Sequence, residues 1–261
     1  MSDDGRITLE KRGHVLLMGI DRVGKRNAFS VAMYRELGRA YGQLQDDPDL
    51  RAGVLFAHGD HFTGGLDLAE FAAEFQSGRL PVDEGAIDPM RLQGRPLDKP
   101  VVCAVQGICF TVGLELMLAT DVRVAADDVR FGQIEVRRGI YPVGGATLRF
   151  VLEGGWGNAM RWLLTADEFN ATEAHRCGFV QEVTPRGQEL ERALAIATRI
   201  AEQAPLGVAA ILRSSRKLLL DGHRAAADAL LPDLIPIMSS DDVQEGLMSF
   251  LERRKAEFKG R

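Results

Sequence analysis

Residues 7–44 read ITLEKRGHVLLMGIDRVGKRNAFSVAMYRELGRAYGQL. Two strand-like runs, 7–11 and 15–20, flank Arg12-Gly13, which reads as a hairpin turn. The period then changes. From Ser30, placed as an N-cap, apolar residues fall at Met33, Leu37, Tyr41 and Leu44, the spacing of a helix with one buried face. Together these segments form a β-β-α unit. Further along, 54–57 reads as a buried strand, followed by a glycine-rich turn and a helix over 67–75 that Asp67 is placed to cap. Strands are expected at 101–105 and 122–126, with a helix over 112–119 between them. Residues 77–98 contain Gly78, Pro81, Gly85, Pro89, Gly94 and Pro96 and read as the mobile, loop-rich segment. Beyond Pro142 the pattern is helical, near 144–152, 157–165, 171–177, 187–203, 206–220 and 241–256, with one strand at 179–183. Strands mixed with helices early and helices alone late predict an α/β core of about 200 residues with a helical C-terminal extension.

A chain of 261 residues has room for one large core plus an appendage, and 46% hydrophobic with 26% charged residues is the balance of a globular protein. A formal net charge of −5 gives no electrostatic reason to expect nucleic acid or an anionic membrane as partner. No apolar run reaches the roughly 18 residues of a membrane span. The polar start Met1-Ser2-Asp3-Asp4-Gly5 lacks the basic and apolar regions of a signal peptide, so a cytoplasmic location is expected. The three cysteines, Cys103, Cys109 and Cys177, have no CxxC spacing and suit free, buried thiols; Cys103, within Val101-Val102-Cys103-Ala104-Val105, reads as a small core residue. The sequon Asn170-Ala171-Thr172 carries no weight in that compartment.

Several motifs fail on their own chemistry. Gly19-Ile20-Asp21-Arg22-Val23-Gly24-Lys25 fits the spacing of a phosphate loop, but Arg26 follows where a hydroxyl must hold magnesium. His58 and His61 lack the third ligand and helical frame of a zinc site and read as solvated histidines. No G-x-S-x-G elbow supplies a serine nucleophile. Two glycine turns are more informative. Gly59-Asp60-His61-Phe62-Thr63-Gly64-Gly65-Leu66-Asp67-Leu68 and Gln106-Gly107-Ile108-Cys109-Phe110-Thr111-Val112-Gly113-Leu114-Glu115-Leu116 each run from a buried strand into a helix, a setting that exposes backbone N–H groups. Glu115, in an otherwise apolar helix, and Glu135 lie 135 − 115 = 20 residues apart, so a helix, a turn and a strand between them can return both to one site. Spacing alone favours two ordinary surface or cap glutamates.

Taken together, these segments resemble the crotonase superfamily, the enoyl-CoA hydratase/isomerase family, over nearly the whole chain. Phe62 to Leu68 is similar to its F-x-x-G-x-D-L turn, and Val105 to Leu116 to its second glycine turn and glutamate-bearing helix. Pro142, Gly144 and Gly145 match its P-x-G-G loop, and Phe250 to Lys255 with Phe258-Lys259 its C-terminal signature. The resemblance implies a spiral of β-β-α units, with a crotonase-like core at 1–205 and a helical trimerisation region at 206–261. It implies an oxyanion hole at the N–H groups of Leu66 and Val112, with the positive end of the following helix adding to it. It places a water between Glu115 and Glu135, with Glu135 donating a proton to C2 and Glu115 orienting and deprotonating the water. Contacts to coenzyme A fall on Arg22, Lys25, Asn27, Ala28, Gly64, Asp67, Phe258 and Lys259. The implied reaction is reversible hydration of a 2-enoyl-CoA, with no metal or redox cofactor, in a homotrimer or dimer of trimers. Alternatives are an enoyl-CoA isomerase, which manages with one carboxylate, a thioesterase or decarboxylase on the same scaffold, and a non-catalytic acyl-CoA binder. The chain departs from the family pattern at Thr111-Val112 and Val143, where glycine is common, and at Ala69, where a coenzyme-binding lysine is frequent. The bulk at 111–112 is expected to narrow the acyl slot.

Overall fold

The computed structural model describes residues 4–261, so part of the polar start discussed above lies outside the described residues. The opening unit forms as its pattern requires. Strands β1 (Arg6–Arg12) and β2 (Val15–Asp21) pair antiparallel, and helix α1 (Val31–Asp46) follows, capped by the Ser30 hydroxyl, which accepts from Met33 N–H at 3.1 Å. The chain continues through β3 (Ala52–Ala57), α2 (Leu68–Gln76), β4 (Val101–Val105), β5 (Ile108–Phe110), α3 (Val112–Leu118), β6 (Val122–Ala126) and β7 (Arg130–Gly132). Then come α4 (Ala146–Thr165), β8 (Phe169–Asn170), α5 (Ala171–Arg176), β9 (Glu182–Thr184), α6 (Glu189–Ala201), α7 (Pro205–Met238) and α8 (Asp241–Glu252).

The main sheet has the order β1-β2-β3-β4-β6-β9 and is parallel from β2 onward. Its middle strands are apolar on both faces because both are covered. Leu16, Met18, Ile20, Leu55 and Cys103 meet the α1 side chains Met33, Leu37, Tyr41 and Leu44 in one core. Val15, Leu17, Val54, Val102 and Val124 face the alanine stripe Ala193, Ala197 and Ala201 of α6 in another. Cys103 is wholly buried among these side chains.

Three strands of two or three residues were not expected. β5, β7 and β8 form a second small sheet, β5 parallel to β7 and β7 antiparallel to β8. The strand expected at 179–183 shrinks to Glu182–Thr184, because Phe179 and Val180 turn into the core instead of joining the ladder. The helices expected at 144–152 and 157–165 are the two halves of α4, broken at Gly155, whose φ is 74°. Likewise α7 runs on to Met238 across a break at Gly222, past the end expected at 220 and through Pro232 and Pro236. Asp67 occupies the N-cap position of α2 but makes no capping bond; its carboxylate accepts from Arg22 Nη1 at 3.2 Å. His58 and His61 are half-buried instead of fully solvated: His58 Nε2 pairs with the Thr8 hydroxyl at 2.8 Å, and His61 Nδ1 accepts from Ile108 N–H at 3.3 Å.

Residues 77–98 carry no regular element but are tied down. Buried Asp88 accepts from the Tyr34 hydroxyl at 2.8 Å and from the N–H groups of Met90 and Leu92 at 3.0 Å each, while Ile87, Met90 and Leu97 enter the core. Among the described residues no single helix is long and apolar enough to cross a membrane.

Candidate active site

The small sheet assembles the site. Strand β5 pairs in parallel with β7, Phe110 beside Gly132, so the segments leaving both strands emerge at the same end. One continues into α3 with Glu115, the other into a 3-10 turn, Glu135–Arg138. Thr63 also joins β5 through a parallel bridge to Cys109, so Leu66 and Val112 each follow their bridge residue by three positions. These three segments line one cavity of about 760 Å³, which includes Leu66, Val112, Glu115 and Glu135 with Phe75, Leu80, Leu92, Tyr141 and Val143 as apolar wall.

The backbone donors are free to serve a ligand. Phe29 and Leu66 form a parallel bridge in which Phe29 N–H donates to Gly65 O at 2.9 Å and Asp67 N–H donates to Phe29 O at 2.8 Å. In that pattern the N–H of Leu66 points away from Phe29. Val112 is the first residue of α3, so its N–H has no acceptor one turn earlier. Among the described residues neither group donates to a protein acceptor.

Glu115 is buried, yet its carboxylate is held. Its Oε1 accepts from Gly144 N–H at 2.7 Å and from Ala146 N–H at 3.1 Å, the latter in the first turn of α4. A larger residue at 144 would displace this carboxyl, since a Cβ there would lie 2.5 Å from Glu115 Oε2. Burial raises the Glu115 pKa to about 7 against the pull of these N–H groups, and the nearby charge of Glu135 adds to the rise. Glu135, half-buried, is likewise raised to about 7 by loss of water, opposed by its own amide and by Gln133 Nε2, which donates to Oε1 at 2.8 Å. Its Oε2 is buried and has no partner among the described residues. Two carboxyls that change charge near neutrality, facing one cavity, can divide the roles of acid and base.

The family profile for enoyl-CoA hydratase/isomerase matches residues 10–261. The chain belongs to the enoyl-CoA hydratase/isomerase family. It is 35% identical to an enoyl-CoA hydratase of Mycobacterium tuberculosis over 97% of this chain and 96% of that one. It is 31% identical to a 2,3-dehydroadipyl-CoA hydratase of Escherichia coli, covering 98% and 99%. A crystal structure of a probable enoyl-CoA hydratase/isomerase from Mycobacterium abscessus superposes with a TM-score of 0.95 at 49% identity, covering 98% of both chains. The spiral α/β fold and its C-terminal helices are those of this enoyl-CoA hydratase/isomerase family.

The other expected ligand contacts fall into three places. Gly64 lines the cavity. Arg22, Asn27 and Asp67 brace the first turn from behind: Arg22 Nη1 donates to Ala28 O at 3.0 Å as well as to Asp67, and Asn27 Nδ2 donates to the carbonyls of His58 and His61 at 2.8 and 2.7 Å. Lys25 ends an exposed 3-10 turn, Val23–Lys25, beside them. Phe258 and Lys259 do not line the cavity and bond to other parts of the chain; Phe258 O accepts from Arg51 Nη2 at 2.7 Å, and Lys259 N–H donates to Asp242 Oδ1 at 2.6 Å. Sequence reasoning missed Gln133 and Arg149 as supports. Arg149 Nη1 donates to Gly144 O at 3.1 Å, and Nη2 bonds Met90 O, which ties the loop at 77–98 to the loop that holds Glu115. The Arg149 signal lay in its place one turn after Gly145, but the partner oxygens belong to backbone and leave no mark in the sequence.

Proposed function

We propose that the protein hydrates the 2,3 double bond of a 2-enoyl-CoA thioester. The carrying observation is the pairing of two carboxyls with pKa values near 7 in one cavity that also holds two outward N–H groups. The thioester oxygen would accept from Leu66 and Val112 N–H, which draws electron density from C3 and stabilises the enolate charge that develops on that oxygen. Glu115, ionised, takes a proton from the water whose oxygen bonds to C3. Glu135, protonated, delivers a proton to C2. The carboxyls end with exchanged charge, and solvent restores them. Hydration moves protons and no electrons, so acid-base groups and the coenzyme A of the substrate suffice. On this reading Gly64, which lines the cavity, and Lys25 would contact the coenzyme, with Arg22, Asn27, Ala28 and Asp67 shaping that turn.

The presence of both carboxyls favours hydration over isomerisation, which needs only one to shuttle a proton. Crotonyl-CoA is the test: loss of the conjugated enoyl absorbance is expected, and coenzyme release without loss of the double bond would point to a thioesterase instead. We further propose a homotrimer or a dimer of trimers in the cytoplasm, with 1–205 as core and 206–261 as assembly region. Phe250, Leu251 and Leu247 are 80%, 64% and 60% exposed in the single chain, an apolar face that a second copy would cover. Light scattering should give a mass of three or six times 28.6 kDa.

A further inference from the structure

Thr111 is the most strained residue at the cavity. Its φ of 49° and ψ of −114° belong to a region that residues with a Cβ rarely adopt, and strain of this kind persists where the surrounding structure imposes it. Glycine would meet that backbone demand without cost, so the threonine needs another reason. Its side chain points to one. Thr111 lines the cavity, and a Cβ built on Gly65 would come within 2.7 Å of Thr111 Oγ1. The hydroxyl therefore packs against the residue before Leu66 and is carried by the residue before Val112. It lies in the cavity that both backbone donors line. It makes no capping bond to α3, and among the described residues it has no hydrogen-bond partner.

We propose that the Thr111 hydroxyl is a third donor to the thioester oxygen, beside the N–H groups of Leu66 and Val112. This rests on the hydratase reading above. An O–H rotor differs from two fixed N–H groups: it can follow the oxygen as the carbonyl lengthens into an enolate, and so bind the transition state better than the ground state. No bond forms or breaks at Thr111, and the hydroxyl keeps its proton. The Oγ1 fills part of the space beside Gly65, so the same side chain also bounds the slot for the acyl group.

Three substitutions separate the hydroxyl from the strain. Thr111→Val keeps shape and removes the donor, Thr111→Ser keeps the donor, and Thr111→Gly removes both donor and strain. With crotonyl-CoA, kcat is expected to fall about tenfold or more in the Val and Gly proteins, with KM changed less than threefold, and to stay within about threefold in the Ser protein. The Gly protein should melt at or above the parent temperature while being slow, a combination that a purely structural role does not produce. Equal kcat in parent, Val and Gly proteins overturns the proposal and leaves the hydratase reading standing. A second readout needs no turnover: a cinnamoyl-CoA bearing a para-dialkylamino group absorbs further to the red when its carbonyl is polarised. The red shift on binding should be smaller for Thr111→Val than for parent and Ser proteins. An equal shift in all three overturns the third donor even if no hydration is found, and absence of any bound spectrum overturns both readings.

Discussion

Glu115 takes its hydrogen bonds from the backbone of a distant loop and helix start, Gly144 N–H at 2.7 Å and Ala146 N–H at 3.1 Å, whereas Glu135 has only its own amide and one side-chain amide, from Gln133 at 2.8 Å. Backbone donors at the start of a 20-residue helix cannot rotate away. An amide on a rotatable side chain can, and Glu135 itself sits on a four-residue 3-10 turn with Oε2 unpaired. The difference suits different tasks. A fixed carboxylate orients a water; a carboxyl with one free oxygen can carry a proton to carbon. Burial raises both to about 7, so the contrast lies in how each is held rather than in acidity.

The comparison breaks most visibly if either charge is removed. Glu115→Gln and Glu135→Gln should each lower turnover of crotonyl-CoA by about 10²-fold or more while binding persists, the scale of a positioned acid-base group. If Glu135→Gln abolishes a 3-enoyl isomerisation that Glu115→Gln spares, and no hydration is seen in the parent, the single-carboxylate isomerase takes its place. A smaller loss, about tenfold or more in kcat, is expected of Gly144→Ala, which pushes a Cβ to 2.5 Å from Glu115 Oε2 and so disturbs the fixed partner without touching its charge. Circular dichroism and melting would show whether that protein stays folded.

A pH series sharpens the same contrast. One carboxyl must be ionised and the other protonated, so kcat/KM should follow a bell centred near pH 7, with apparent pKa values that belong to the pair. Stability carries the opposite mark of each raised pKa. The folded protein holds protons that the unfolded chain, with ordinary values of 4.5, has already released. That stabilisation is complete below pH 4.5 and lost as pH rises through about 7. Glu115→Gln, neutral throughout, should therefore gain about 1–3 kcal/mol relative to the parent between pH 4.5 and 8 in denaturant titrations. The smallest effect belongs to the adjustable partner: Gln133→Met removes a single amide bond and should slow turnover only a few-fold, with the upper limb of the bell displaced upward. A loss as large as that of Glu135→Gln would show that Glu135 is as rigidly held as Glu115.

Much of this architecture was legible because it is local. The first hairpin, whose turn falls on Gly13-His14, one residue later than Arg12-Gly13, the Ser30 cap and the 3.6-residue period through Leu44 are short-range signals, and the strands at 54–57, 101–105 and 122–126 declare themselves as apolar runs. The breaks at Gly155 and Gly222 were harder. In α4 the glycine split one helix into two expected ones, while in α7 it ended the expectation early, because the helix beyond it contains two prolines that propensity alone treats as a stop.

The sequence by itself determined the class of fold, the two glycine turns and the pair of glutamates, since each is written in neighbouring residues. It could not say that the glutamates meet. That depended on strands of three residues, Ile108–Phe110 and Arg130–Gly132, too short to show a period and held in place by pairing with each other, with Thr63 and with Phe169–Asn170. The tertiary structure likewise decided that Asp67 would serve Arg22 instead of its own helix, and that buried Glu115 would find its donors 29 and 31 residues further along the chain. Acidity followed from the same packing: a glutamate is ordinary in water, and only the withdrawal of water around Glu115 and Glu135 moves both to about 7.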